Sequence, residues 1–167
     1  SFVGYPTFAS MLDALKTGEV RYAVLPVENS IAGSISESYD LLAKLDLHLV
    51  GEEIHPVAHC LVALGDMPVS RIRRIISHPV ALAQCQRFLA TLENCHVESY
   101  VDTALAVQKV KADLDPSQAA IASEEAARIH GLPVIARGIA DVPENFTRMV
   151  IVARDPVAVP PGVSAKT

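Results

Sequence analysis

The sequence has few aromatic residues and few thiols. It contains no tryptophan and only four phenylalanines among 167 residues, whereas half of the residues are hydrophobic. Aliphatic side chains must therefore build the core of a globular chain. The three cysteines, Cys60, Cys85 and Cys95, are too scattered for a disulfide framework and lack the spacing of a zinc site. We expect them to be buried thiols in a reducing cytosol.

Two kinds of segment are also missing. No cluster of lysine and arginine occurs and the net charge is −5, so a nucleic-acid partner is not expected. No apolar run reaches the roughly 20 residues that a membrane-spanning helix needs, so no membrane partner is expected. The length instead suits one globular domain of ordinary size, or two small lobes.

Apolar spacing and capping residues predict that helices and strands alternate along the chain. The predicted helices are 8–16 between Thr7 and Gly18, one opened by a capping box at Ser34 and Glu37, 79–92, one from Asp102 to about Asp113, and one from Ser123 to Gly131. The predicted strands are 22–27, which breaks at Pro26, then 47–54, 58–64, 72–76, 96–101, 119–122, 134–139 and 148–153. This alternation predicts the α/β class with mostly parallel sheets.

Small polar side chains follow several of these strands. They are Asn29, Ser30, Ser77, His78, Asp102, Thr103 and Ser123. In parallel α/β folds, ligands bind just outside the carboxyl ends of the strands, where helix N-termini favour anions. The same residue types are ordinary N-caps, and capping is the simpler interpretation of Asp102 and Ser123.

Other residues in these junctions also have two interpretations. Asn29 and Ser30 precede the predicted capping box by several residues, so the helix does not need them as caps. Glu28 beside them is either a buried general acid or a structural hydrogen-bond acceptor. If Ser77 caps the next helix, Gln84 lies two turns along on the same side; otherwise Gln84 faces solvent.

The charged and titratable candidates are equally open. His78 is either a catalytic base or a helix cap. His55 and His59 lie on a strand-like run, where residues four apart are separated by about 13 Å, so they do not form a helical metal pair. Arg148 either holds a carboxylate through its two-pronged guanidinium or lies at the surface of a strand edge.

Five motifs in order resemble those of the prephenate dehydratase family. They are LPVENS at 25–30 with Gly33, SHP at 77–79 with AQC at 83–85, DTA at 102–104, AIAS at 120–123, and NxTR at 145–148. Together they cover nearly the whole chain. The resemblance implies an α/β fold of two lobes like a type II periplasmic binding protein, with the active site in the cleft between them. Lobe one would take about 1–53 and 142–157, lobe two about 54–141, and 158–167 would be a linker.

The resemblance also implies an activity. The reaction would be loss of water and carbon dioxide from prephenate, giving phenylpyruvate on the way to phenylalanine. No metal or organic cofactor is expected, and the protein would be a cytoplasmic homodimer or homotetramer. Since prephenate is a dianion, neutral donors, helix N-termini and an arginine suit it better than carboxylates do.

The motifs also imply roles for individual residues. Thr147 would be the main catalytic residue and the proton donor to the departing hydroxyl, with its acidity dependent on a neighbour such as Arg148 or on the substrate. Catalysis is assigned to Thr147, Glu28, Asn29, Ser77 and Gln84. Substrate binding is assigned to Asn29, Ser30, Ser77, Thr147 and Arg148. No residue is assigned to a metal.

The sequence departs from the family at a few points, and alternatives follow. Val80 stands where Gln is common and Met149 where Phe is common. The family usually begins with a strand and a Gly-rich turn bearing Ser or Thr, ahead of the segment near Tyr5, so part of the site is either missing, disordered or supplied elsewhere. In the family, a regulatory ACT domain usually starts about where this sequence stops, and phenylalanine feedback would act through such a domain. The alternatives are an arogenate dehydratase, a non-catalytic carboxylate-binding protein of the same fold, and an inactive or regulatory paralogue.

Overall fold

A computed structural model describes residues 3–157, which form two compact units. Unit 1 takes residues 3–56 and 146–157, and unit 2 takes residues 57–145. The predicted α/β class with two lobes is confirmed. The predicted position of the active site between the lobes stays a prediction, and the predicted linker at 158–167 lies outside the described residues.

The predicted elements occur in the expected order, with a further strand at Gly33–Ser34 that the sequence did not predict and with the predicted helix at 79–92 divided in two. The helices are α1 (Phe8–Thr17), α2 (Ser36–Lys44), α3 (Pro79–Ala83), α4 (Gln86–Ala90), α5 (Thr103–Asp113) and α6 (Glu124–His130), with a 3₁₀ turn at Val69–Arg71. The strands are β1 (Ala23–Asn29), β2 (Gly33–Ser34), β3 (His48–Pro56), β4 (Cys60–Ala63), β5 (Arg74–Ser77), β6 (His96–Ser99), β7 (Gln118–Ala122), β8 (Val134–Ala136) and β9 (Phe146–Ala153). No helix of residues 3–157 combines the length and apolar character needed to cross a membrane.

Unit 1 contains one sheet in the order β2-β1-β9-β3. Helices α1 and α2 pack on one face of it, where Leu12 and Leu15 meet Leu25, Val150 and Val152 in a buried cluster. Because successive side chains of a strand point to opposite faces of a sheet, the strand residues between these lie on the face away from α1 and α2. The two faces of unit 1 therefore have different surroundings.

Unit 2 contains a sheet in the order β6-β5-β7-β4-β8 that is buried on both faces. On one face Ile75 and Ile121 pack with Leu82 of α3. On the other face Ile76 packs with Val107 of α5. This two-sided burial explains why β4 and β7 are continuous buried runs rather than alternating ones.

The predicted predominance of parallel strands is wrong. Five of the seven strand pairs in residues 3–157 are antiparallel, and only β5 with β6 and β5 with β7 are parallel. Helices connect these parallel strands, as a crossover requires. In unit 1, β2 follows β1 in a tight hairpin, and β9, which follows unit 2 in the sequence, lies between β1 and β3.

Helix caps that depend on a local hydrogen bond are confirmed. Thr7 accepts a hydrogen bond from the backbone N–H of Ser10, and Asp102 and Ser123 cap α5 and α6 in the same way. Gly18 ends α1 in the left-handed conformation, at φ 84°.

The predicted capping box at Ser34 and Glu37 is wrong. Ser34 lies in β2, where it pairs with Glu28, and α2 begins after Ile35, which makes no side-chain cap. Ser34 therefore pairs in a strand, although its local pattern is that of a helix cap.

The predicted break at Pro26 is also wrong. Strand β1 continues through Pro26 to Asn29, with a shift of register against β9 between Pro26 and Glu28. A proline has no backbone N–H to donate, so it is tolerated where the ladder is already irregular. Glu28 and Asn29 are consequently strand residues with fixed neighbours on β9.

The buried thiols allow a direct test of the core. Cys60 and Cys85 are buried, and burial raises the pKa of Cys85 to about 12, so its reactive thiolate is scarce at neutral pH. Cys95 is only partly buried. We expect a thiol reagent at pH 8 to modify Cys95 first in the native protein, and all three cysteines after guanidinium denaturation. The Cys95→Ser variant should lose the fast phase; fast modification of Cys85 would contradict this packing.

Candidate active site

The predicted site residues fall into two groups, one in each unit. Unit 1 holds Glu28, Asn29, Ser30, Thr147 and Arg148. Unit 2 holds Ser77 and Gln84.

Asn29 joins the turn that follows β1 to β9 through the two ends of its carboxamide. Its Oδ1 accepts hydrogen bonds from the backbone N–H groups of Ile31 and Ala32 at 3.1 and 2.9 Å. Its Nδ2 donates to the backbone oxygen of Phe146 and to Oγ1 of Thr147, each at 3.2 Å. Because Oδ1 already accepts two backbone donors, the amide orientation is fixed and Nδ2 is the end that meets Thr147.

The orientation of Thr147 follows from that contact. Its Oγ1 accepts the hydrogen bond from Asn29, so its own O–H proton is left to donate elsewhere. A hydroxyl that accepts one hydrogen bond becomes a better donor in the next. The arrangement can present a polarised O–H to a ligand.

Ser30 closes the same end of the two strands. Its backbone N–H donates to the oxygen of Phe146 and its Oγ accepts from the N–H of Phe146, both at 2.9 Å. The side chain is exposed. Its hydroxyl proton can therefore also serve a ligand.

Thr147 and Arg148 lie on opposite faces of the unit 1 sheet. They are consecutive in β9, and consecutive strand side chains alternate in direction. Arg148 donates through Nε to Glu52 at 2.9 Å and pairs with the same oxygen through Nη2 at 2.8 Å. Oε2 of Glu28, the cross-strand neighbour of Arg148, lies 4.0 Å from Nη1 of Arg148. The hydrogen bond that Arg148 donates to Glu52 raises the pKa of Arg148, which stays charged.

In unit 2, Gln84 is held by two buried side chains. Its Oε1 lies 2.7 Å from Nε2 of His59 and accepts from Nδ2 of Asn145 at 3.0 Å. His59 is 6 % exposed and Asn145 is 2 % exposed. Gln84 ends α3, and the predicted single helix at 79–92 is interrupted there before α4 begins. Gln84 is therefore a buried hydrogen-bond partner on its Oε1 side rather than a solvent-facing residue.

Ser77 and His78 have local roles in the structure. Ser77 is fully buried, and its hydroxyl donates to the backbone oxygen of Ile121 at 2.6 Å. A ligand contact by Ser77 would therefore have to use the lone pairs of its oxygen. His78 caps α3 by accepting from the N–H of Val80 at 3.3 Å, which confirms the capping interpretation.

Removal of the Ser77 hydroxyl should destabilise unit 2. Ser77→Ala deletes a buried hydrogen bond, so we expect the free energy of unfolding to fall by about 1–2 kcal/mol. Ser99, its register partner on β6, is exposed, and Ser99→Ala is the matched control with an expected change below about 0.5 kcal/mol. Denaturant unfolding followed by circular dichroism measures both, and equal effects would contradict the assignment.

Sequence reasoning missed the partners of the predicted residues. His59 was considered only as a metal ligand, and Asn145 only as part of a motif. A histidine just before the buried strand β4 could have indicated such a partner, because an unpaired polar group in a buried position is energetically unfavourable. No group of three or more His, Cys, Asp or Glu within residues 3–157 is arranged to hold a metal ion.

Comparisons with known proteins place the chain in a family. Residues 1–157 match the family model described as prephenate dehydratase. The arogenate dehydratase/prephenate dehydratase 2 of Arabidopsis thaliana is 42 % identical over 150 residues, which are 90 % of this chain and 39 % of that protein. The chain belongs to the prephenate dehydratase family.

Two solved structures share the fold. The crystal structure of prephenate dehydratase in complex with L-Phe from Arthrobacter aurescens has a TM-score of 0.85 and 30 % identity, over 96 % of this chain and 54 % of that one. GqqA, described as a novel type of quorum quenching acylase, has a TM-score of 0.84 and 34 % identity, over 95 % of this chain and 57 % of that one. The chain spans about two fifths of the length of the curated relatives that it matches.

Proposed function

We propose that the protein containing this chain is a lyase that converts prephenate to phenylpyruvate by decarboxylating dehydration. The observation that carries this proposal is the hydrogen bond from Asn29 to Thr147, which leaves the Thr147 proton available. Family membership supports the choice of substrate.

The reaction asks for little beyond orientation and one proton. The bond from the ring to its carboxylate breaks, and the electron pair completes the aromatic ring as carbon dioxide leaves. The bond from the ring to its hydroxyl breaks at the opposite carbon, and that oxygen takes one proton to leave as water. Thr147 donates this proton and regains one from solvent. Aromatisation supplies the driving force, so no resident cofactor is needed in this proposal.

The remaining predicted residues of unit 1 have different roles in this proposal. Ser30 supplies a neutral donor, which suits a dianion, and Asn29 acts through the hydrogen bond that it donates to Thr147. Arg148 lies on the opposite face of the sheet from Thr147 and pairs there with Glu52, so this proposal gives it no contact with the substrate that Thr147 protonates. Glu28 lies beside Arg148 on that face and has a structural role there.

In unit 2, Gln84 supplies a neutral donor to the substrate. Ser77 positions the carboxyl end of β5 beside β7, and its oxygen remains available as an acceptor. The contact between Ser77 and Ile121 supports a positioning role.

The proposal also covers the choice between prephenate and arogenate, the oligomeric state, the compartment and the inhibitor. Arogenate, which carries an amino group on its side chain, is the second candidate because similar relatives include arogenate dehydratases. We further propose a cytoplasmic homodimer or homotetramer inhibited by phenylalanine. The L-Phe complex from Arthrobacter aurescens supports phenylalanine as the regulator.

The test is a product assay on the full-length protein. Prephenate and arogenate are supplied separately, and phenylpyruvate and phenylalanine are measured by chromatography. Turnover of prephenate supports the proposal, and turnover of arogenate alone moves it to the second candidate. Binding of either compound without conversion would replace it by the carboxylate-binding alternative.

A further inference from the structure

We infer that His59 and Asn145 are positioning residues that fix the carboxamide of Gln84, so that its Nε2 donates to an oxygen of the substrate. We call this pair the Gln84 clamp. The inference rests on the proposed function for the identity of the substrate. The orientation of the amide can be tested independently of that function.

The clamp occupies the oxygen end of the amide. Two donors, Nε2 of His59 and Nδ2 of Asn145, converge on Oε1 of Gln84. Since an amide oxygen cannot donate, His59 must carry its proton on Nε2. A flipped Gln84 would turn its own N–H groups toward the N–H groups of both partners and leave these buried donors unsatisfied, which is unfavourable.

The backbone around Gln84 is fixed as well. Its backbone oxygen accepts from the N–H of Asp141 at 2.7 Å. The Asp141 carboxylate accepts from the N–H groups of Gln86 and Arg87 at 3.0 and 2.9 Å, which satisfies the first donors of α4. These hydrogen bonds with the loop that leads to Asn145 fix the break between α3 and α4, and they therefore fix the backbone position of Gln84.

The nitrogen end of the amide is left for a ligand. Within residues 3–157, Nε2 of Gln84 donates to no protein atom in the structure, although Oε1 has two donors. A neutral N–H₂ group with a fixed direction can bind a carboxylate or carbonyl oxygen without a change of protonation. Because the members of the buried clamp are already held in place, they lose little further conformational entropy when the substrate binds.

Kinetics of the full-length protein test the positioning role. We expect His59→Leu to raise KM for prephenate about 10-fold, since the oriented donor is worth about one hydrogen bond. His59→Gln places an amide donor where Nε2 stood and should stay within about 3-fold of wild type. In a Gln84→Ala background, His59→Leu should have almost no further effect on KM, because the two residues act through one contact.

Several outcomes would overturn the clamp. It fails if His59→Leu and His59→Gln have equal KM values, or if the His59 effect persists undiminished in the Gln84→Ala background. Wild-type turnover is measured alongside, so an absence of turnover is recognised as failure of the proposed function rather than of the clamp.

Nuclear magnetic resonance decides the orientation without activity or any variant. In ¹⁵N-labelled wild-type protein, the clamp requires the neutral His59 ring to carry its proton on Nε2. A ring protonated on Nδ1 alone would overturn the inference.

Discussion

Thr147→Ala is expected to lower kcat for prephenate by about 10²–10⁴-fold, the range usual for loss of a positioned proton donor. The variant removes the hydroxyl whose proton the Asn29 contact leaves available. Substrate binding depends on other donors, so KM should change much less than kcat. Steady-state measurement of phenylpyruvate formation gives both constants.

Thr147→Ser and Thr147→Val are the controls for that experiment. Serine keeps a hydroxyl that can accept from Asn29, so its kcat should stay within about 10-fold of wild type. Valine keeps the branched shape of threonine without the hydroxyl and should behave like alanine. If valine retained activity, Thr147 would be a packing residue and the mechanism above would be lost.

Asn29→Asp is expected to lower kcat/KM by about 10²–10³-fold through electrostatics alone. The new carboxylate can still accept from Ile31 and Ala32, but its other oxygen faces the Phe146 oxygen and Thr147. Thr147 would then donate its proton to that carboxylate instead of to the leaving hydroxyl. The added charge also repels a dianionic substrate.

A matched variant separates this local effect from added charge in general. Asn94 is exposed in a turn with φ 55°, and Asn94→Asp adds the same charge there. We expect its kinetic constants to match wild type within about 2-fold, as is usual for a surface change. An Asn29→Asp enzyme with wild-type kcat/KM would show that the amide does not orient Thr147.

The parts of the fold that local chemistry determines were predictable from the sequence. Thr7, Asp102 and Ser123 cap their helices because the cap needs only a side chain and a backbone N–H three residues away. Strand direction was not predictable in this way, since β9 pairs with β1 across more than a hundred residues. Ser34 shows the same limit, because it pairs with β1 although its local pattern is that of a helix cap.

The candidate site divides along the same line. Asn29, Thr147 and Gln84 were identified from their motifs, but the contacts that orient them were not. Asn29 meets Thr147 across 118 positions, and Gln84 meets Asn145 across 61. Such partners share no local pattern, so only the packed structure reveals which end of each amide is used.

The place of β9 in unit 1 has a consequence for synthesis on the ribosome. Unit 2 is an uninterrupted segment and can complete its sheet from residues already made, whereas β1 and β3 are made early and lack the strand that lies between them. Their facing edges stay unpaired until β9 emerges, which exposes them to wrong partners during that interval. Strand β9 is the last of the described strands to emerge and carries Thr147, so the proposed proton donor reaches its place only when the unit 1 sheet is complete.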